Sequence, residues 1–218
     1  MGQQILLVEG RADTTFYQAV CREAGKSRVL VKSPTLIGAR VDSKTNAIHK
    51  LPALLNQLND GSITNLGLIV DADYDQEHGL GFQKTLLKVR EQVTSFGFER
   101  EVRLARGGFT FSHPDGLPTI GLWIMPDNRS DGMLEDFIQS AVHDPDQRKL
   151  HETACAAVAG LAQPLFKHFH RAKAEVATWL AWQRVPGAPA ESVIGNKLID
   201  FSSASYQSLN DWITDVFA

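Results

Sequence analysis

Apolar residues follow two rhythms along this chain. Ile5 to Val8, the stretch 28–33, Leu66 to Val70 and the stretch 118–128 are short and nearly unbroken apolar runs. Runs of that length predict buried strands, and unbroken runs predict parallel strands covered on both faces. Between them the apolar positions recur at helical spacing. The stretch 12–25 predicts a helix with Asp13 as its N-cap and Gly25 as its stop. Residues 47–60 predict a second helix ending at Asn59-Asp60-Gly61, with Pro52 in its first turns. Residues 82–97 predict a third, with Phe82, Leu86, Leu87, Val89 and Val93 facing inward. This alternation predicts an α/β fold built on a mainly parallel sheet flanked by helices. Residues 110–118 read as a loop or hairpin turn.

Beyond residue 132 the rhythm becomes helical throughout. Candidate helices lie at 133–142, 148–162 and 171–183 and in the tail from Leu209, with a Pro/Gly connector at 184–192. The expected organisation is an α/β core over 1–132 and a helical C-terminal third over 133–218, packed together as one compact domain. Trp179 and Trp182, three apart, share a helical face, and core packing is the simpler reading of both.

Composition adjusts this picture little. The 218 residues are 43% hydrophobic and 22% charged, with a formal net charge of −3. That balance is ordinary for a globular protein and does not suggest a general nucleic-acid binder, which is normally basic. A metal site would offset acidic side chains locally, so an acidic balance does not exclude one. Cys21 and Cys155 are too few and too far apart for a disulfide framework or a zinc site. Cys21 reads as a small buried hydrophobe. No signal peptide, lipid anchor or membrane span is expected, and a cytoplasmic location follows as an expectation.

The chemistry gathers where strands end. Glu9 closes the first apolar run, Asp71 and Asp73 close the third, and Asp127 closes the last. Ligands of open parallel sheets collect at the carboxyl ends of strands. Asp71 and Asp73 point to the same side if the chain stays extended. Clustered carboxylate oxygens suit hard cations such as Mg²⁺. Without a cation they repel and raise one another's pKa. Taken singly, strand-end acids are commonly turn formers or helix caps. Asp75 and Glu77 read as solvated loop acids.

Two segments carry a resemblance. "LLVEGRADTTFY" resembles the first Toprim motif, a strand ending in Glu-Gly before a helix bearing an Asp, and "LGLIVDADYD" resembles the second, an Asp-x-Asp strand end. The likeness spans residues 4–130. The fold is shared by topoisomerases, bacterial primases, maturation ribonucleases, a recombination mediator and the OLD (overcoming lysogenization defect) nucleases. "GLWIMPDNRSDGMLEDFI" and "RAKAEVATWLAWQRVPG" further resemble a small bacterial family related to the OLD nucleases.

The resemblance implies a Mg²⁺- or Mn²⁺-dependent enzyme that cuts or nicks nucleic acid, DNA rather than RNA. Glu9, Asp71 and Asp73 match the motif acids. Asp13 joins them as a candidate ligand. An acidic helix after the core is implied to add ligands, here Glu135, with Asp136 or Asp127 beside it. Glu135 and Asp136 project about 100° apart on a helix, so one of them is the ligand, and Glu135 is favoured. Asp136 suits a brace at the helix start.

Cleavage through two ions needs carboxylates that hold them about 4 Å apart. A downstream lysine is implied to stabilise phosphate charge. Lys173 is the first candidate and Lys197 the reserve. Lys167, His168, His170 and Arg171 either accompany Lys173 or form a solvated basic face. Arg100, Arg103 and Arg106 could line a nucleic-acid backbone track, diluted by Glu99 and Glu101. No nucleotide-binding motif is present, so ATP dependence would come from a separate ATPase chain, as OLD proteins pair this domain with an ATPase. A homodimer is a further expectation. The rival is a non-catalytic Toprim scaffold that binds metal or protein. A receiver-like signalling domain fits Asp71-x-Asp73 and the helical C-terminal third poorly.

Overall fold

A computed structural model describes residues 2–74 and 81–218, without the side chain of Glu191. Asp75 and Glu77 lie outside the described residues. Strands β1 (Gln3–Leu7), β2 (Leu30–Lys32), β3 (Ile63–Asp71), β4 (Arg100–Arg103), β5 (Phe109–Ser112) and β6 (Ile120–Met125) form one six-stranded sheet in the order β2-β1-β3-β6-β5-β4. The four strands at the β2 side run parallel, and β5 and β4 add an antiparallel edge. The α/β architecture is therefore the one the apolar runs predict. The antiparallel edge is not. Residues 110–118 begin inside β5 rather than forming only a turn, and "REVR" in β4 alternates without an apolar signal.

Helices cover both faces. Ile5, Leu7, Leu66, Leu68, Val70, Leu122 and Ile124 point to one side and pack against α2 (Lys44–Asn59) and α3 (Gly81–Thr94). Leu6, Val8, Ile69, Trp123 and Met125 point to the other. There they meet α1 (Arg11–Glu23), α4 (Leu134–Ser140), α6 (Arg171–Ala181) and α7 (Ala204–Val216), with Ala154 and Val158 of α5 (Pro145–Ala159) buried beside α6. The C-terminal helices thus complete the second hydrophobic layer of the sheet. Alternation of side chains across a strand is what divides the two layers.

Several local expectations are corrected. Gly10, not Asp13, is the N-cap of α1; Asp13 sits at the third helical position and accepts the Gly10 N–H at 2.9 Å. Ser43 caps α2 earlier than expected, accepting from Asn46 N, so Pro52 lies in the helix interior. Leu87 is 49% exposed, because α3 turns that position to solvent. Trp179 is fully buried and its indole N–H donates to Gln147 Oε1. Trp182 is 43% exposed, because α6 stops at Ala181 and the chain swings away. Ser203 caps α7, which begins before Leu209.

The close approach of α7 depends on two glycines. Gly67 of β3 and Gly121 of β6 stand side by side in register. A Cβ on Gly121 would lie 2.4 Å from Val216 Cγ2, and one on Gly67 3.1 Å from Phe217 Cζ. Any side chain there would lift α7 from the sheet. Gly121→Val is expected to cost about 2–3 kcal/mol, roughly 5–10 °C in thermal midpoint for a chain of this size. Leu87→Ser, on the exposed face of α3, is expected to change stability by less than about 0.5 kcal/mol. Thermal unfolding followed by circular dichroism compares them.

Candidate functional site

Parallel pairing of β1 with β3 brings their carboxyl ends together. Glu9, just past β1, accepts the backbone N–H of Asp71 through Oε1 at 2.8 Å. Asp71, the last residue of β3, accepts the Leu134 N–H through Oδ1 at 3.0 Å, so the start of α4 is aimed at it. Asp73 has φ 58°, and its backbone exchanges hydrogen bonds with Gly132. That bridge ties the loop before α4 to the end of β3. The expected extended geometry across Asp71 and Asp73 is thus broken by a left-handed residue.

These groups act on one another's charge. Burial, then the charges of Asp73 and Asp13, push the Glu9 carboxyl up to about 8, against the opposing pull of Lys44 and the Asp71 N–H. Burial first, then Glu9, Asp13, Asp73 and Glu135, hold the Asp71 carboxyl well above its ordinary range. Glu135 is raised by burial and by Asp136 and Asp73, and is drawn back by Lys173. Glu9, Asp13, Asp71, Asp73 and Glu135 therefore share one field at one sheet edge, with Lys173 facing it from α6.

The other sequence candidates have different roles. Asp136 accepts from Met133 N through Oδ2 and from the Tyr74 hydroxyl through Oδ1, both at 2.8 Å, so it braces the start of α4. Asp127 is exposed and closes its own turn, accepting from Arg129 N, Ser130 N and Ser130 Oγ. Here an acid after a strand serves as a turn former, and Asp127 is not among the charges that shift Glu9, Asp71 or Glu135. Lys197 is exposed, and its neighbours Asn196 and Leu198 line a cavity with Gln183. Lys173 is the lysine whose charge acts on Glu135. Arg171 is paired with Glu175 at 2.7 Å, and Lys167 lies over the Phe169 ring. Arg103 donates to Asn128 O and Arg106 is paired with Asp211, so neither is a free backbone track.

The residue that sequence reasoning missed is Lys44. Its Nζ donates to Asp71 O at 3.1 Å and Ala72 O at 2.9 Å, and pairs with Asp73 Oδ2 at 2.5 Å. It is 8% exposed. The signal was local: a lysine in the first turn of a helix opposes the helix dipole, an unfavourable placement unless acids lie in front of it. Tyr17 was also missed. Its buried phenol sits under the field of Asp13, Asp71, Glu9 and Glu135 and is raised by burial first and then by those charges.

The donor set suits a hard divalent ion in kind and in charge, since every ligand candidate offers carboxylate oxygen. Glu9 and Asp71 each keep one oxygen without a hydrogen bond from a described residue. Among the described residues, no three carboxyl, imidazole or thiol groups already form a set that could hold an ion. Lys44 supplies the local positive charge and competes for Asp73.

The raised acids also set a pH dependence. Between the ordinary glutamate value of 4.5 and about 8, the folded state keeps a proton on Glu9 that the unfolded chain releases. Stability is full below that window and falls as pH rises through it. Without divalent ions, the thermal midpoint is expected to drop by on the order of 5 °C between about pH 5 and pH 9. Glu9→Gln keeps an acceptor for the Asp71 N–H and should flatten that slope. An unchanged slope in the variant would show that Glu9 is not the group.

No curated protein and no solved structure matches the chain. A family model described as "Protein of unknown function (DUF3226)" matches residues 3–218, taking in the sheet, the acid edge and the C-terminal helices together. The chain accordingly belongs to the DUF3226 family of proteins of unknown function.

Proposed function

We propose that this edge binds Mg²⁺ or Mn²⁺ through Glu9, Asp71, Asp73 and Glu135, with Asp13 adjacent, and that the protein hydrolyses phosphodiester bonds in nucleic acid, DNA before RNA. The observation that carries this reading is the convergence of these acids around the Asp71 strand end, faced by Lys44 and Lys173. The likeness of the two acid-bearing segments to the Toprim motifs supports it. A divalent ion held there supplies Lewis acidity and an activated water. The chain's own residues do the rest. Lys44 clamps the turn that carries Asp73, and Asp136 and Tyr74 hold α4 so that Glu135 faces the acids. Lys173, exposed on α6, is placed to meet developing charge on phosphate. The proposal includes a cytoplasmic location, the OLD-like branch and a separate ATPase partner. The chain itself has, among its described residues, no helix long and apolar enough to cross a membrane.

A second reading is favoured by one observation: Lys44 already compensates Asp73, and no ready-made metal set stands among the described residues. On that reading the acids brace a non-catalytic scaffold. Two experiments separate the readings. Supercoiled plasmid and single-stranded DNA are incubated in Mg²⁺ or Mn²⁺ with wild type, Glu9→Ala, Asp73→Ala and Lys173→Ala. Cleavage by wild type is expected, with losses of about 100-fold or more in the variants. Equal cleavage by wild type and Asp73→Ala would sink the nuclease reading. The second experiment is thermal unfolding of Lys44→Met. Removing a largely buried cation from its acid is expected to cost about 2 kcal/mol or more, allowing for the partial exposure of Asp73. Mn²⁺ should restore much of that loss. If Mn²⁺ restores nothing and no variant alters DNA cleavage, the scaffold reading stands.

A further inference from the structure

We propose that the cavity between α4, α6 and the short turn His168–His170 holds an unpaired nucleobase, guanine ahead of the others. Its volume is about 280 Å³, and its wall includes Tyr74, Asp136, Gln139, Phe169, Arg171 and Glu175. Pockets for drug-sized ligands run from about 300 to 1,000 Å³, so this one suits a single ring system. Two helical faces build it. Asp136 and Gln139 are three apart on α4, and Arg171 and Glu175 are four apart on α6. Half-buried Phe169 gives it an aromatic wall, with the Lys167 ammonium over that ring at 5.4 Å from its centre.

One buried acid fixes the polar groups. Glu175 is 8% exposed. It accepts Arg171 Nε at 2.7 Å through Oε1 and Gln139 Nε2 at 3.3 Å through Oε2. Gln139 Nε2 also donates to the Ala172 carbonyl at 3.4 Å. Both of its partners are acceptors, which sets the orientation of the amide. Gln139 Oε1 then accepts from no described residue and keeps accessible surface. The Arg171 side chain is 57% exposed, and its two terminal nitrogens donate to no described residue. A fixed acceptor and a fixed donor fork, both anchored on Glu175, thus border the cavity. Asp136 adds carboxylate oxygens, which also serve the Tyr74 hydroxyl and Met133 N.

Two carboxylates in the wall disfavour an anion. A neutral, flat ligand that both donates and accepts satisfies the set, and unpaired bases read on their Watson–Crick edge are such ligands. Guanine carries O6, which arginine favours, next to N–H donors for the Gln139 and Asp136 oxygens. Adenine and cytosine bring a single amino donor, and thymine a single ring N–H.

The position ties the cavity to the acids. Glu135 and Asp136 are neighbours on α4 and project about 100° apart, so the helix shows Glu135 to the acids and Asp136 to the cavity. Lys173, whose charge acts on Glu135, follows Arg171 by two residues on α6. A single strand crossing this edge places a base in the cavity while its backbone meets the acids. That assignment rests on the proposed function and names which part of the strand the site reads. A free guanine nucleoside is the other source of the same chemistry.

The test uses the full chain in EDTA, where no cleavage occurs. Fluorescent thymidine oligonucleotides with one central guanine, adenine or abasic position are bound and read by anisotropy, and guanosine is added in thermal-shift measurements. Wild type is expected to bind the guanine oligonucleotide about tenfold more tightly than the abasic one and about fivefold more tightly than the adenine one. Phe169→Ala should remove the first difference while leaving the abasic affinity unchanged, and Phe169→Tyr, which keeps the ring, should retain it. Arg171→Lys keeps a charge for Glu175 but loses the planar fork, so guanine and adenine should bind alike. Guanosine should raise the unfolding midpoint of wild type and not that of Phe169→Ala. Equal affinity of wild type for all three oligonucleotides together with no guanosine shift overturns the proposal, as does a base preference that survives both Phe169→Ala and Arg171→Lys. A guanosine shift without base preference in the oligonucleotides keeps the base site and overturns its assignment to a strand. A preference for adenine overturns the guanine assignment. Failure of the proposed function is seen separately, as absent cleavage and absent Mn²⁺ binding, neither of which these measurements read.

Discussion

One ammonium group organises the acid-bearing edge of this protein. Lys44 reaches from the start of α2 to two carbonyls at the end of β3 and to the Asp73 carboxylate. Five acids act on one another here, and like charges brought together out of water repel strongly unless a cation stands among them. Lys44 is that cation within the chain. It also fixes geometry, because a lysine bonded to backbone carbonyls holds the turn itself as well as the charge. The left-handed conformation of Asp73, its bridge to Gly132 and the aim of α4 at Asp71 all meet at that turn. Breaking this half-buried pair by removing the lysine is costly, since Asp73 and the two carbonyls are left uncompensated.

The sheet separates charge in a way that the overall balance hides. A formal charge of −3 describes neither side of β6. Toward β3 and β1 lie the acids. Toward β5 and α7 lie Arg129 and Arg106, the latter paired with Asp211. Both regions sit at the carboxyl end of the parallel strands, where crossover connections leave backbone and side chains free of the sheet. A small polyanion held by such an edge would have its charge matched on one side and a cation demanded on the other. That is the physical content of the proposed phosphodiester chemistry, and it depends on adjacency rather than on net charge.

Helix α7 links fold to site. Its C-terminal half is drawn onto the sheet because Gly67 and Gly121 leave no side chain in the way. Its N-terminal half is thereby aimed at a cavity beside β6. The family match over residues 3–218 includes this helix, so the C-terminal third belongs with the sheet it covers.

The sequence by itself determined the architecture and most of the acid edge. Unbroken apolar runs and helical spacing specify parallel strands and their crossovers, because burial on two faces leaves no polar positions to interrupt them. Strand-end acids at Glu9, Asp71 and Asp73 were legible because a parallel sheet delivers its strand ends to one edge whatever the details of packing. The β4 strand was not legible, since its residues are largely exposed and its pairing is made by backbone groups common to every residue. The brace at Asp136 was anticipated from its place at a helix start, but the fate of Asp127 was not legible. An acid looks the same in sequence whether it closes a turn, braces a helix or faces a shared field. The first-turn position of Lys44 hinted at acids in front of α2, but which groups it meets was decided by tertiary structure alone. Its partners are the Asp71 and Ala72 carbonyls and the Asp73 carboxylate, and only folding brings them within hydrogen-bond distance across that separation in the chain.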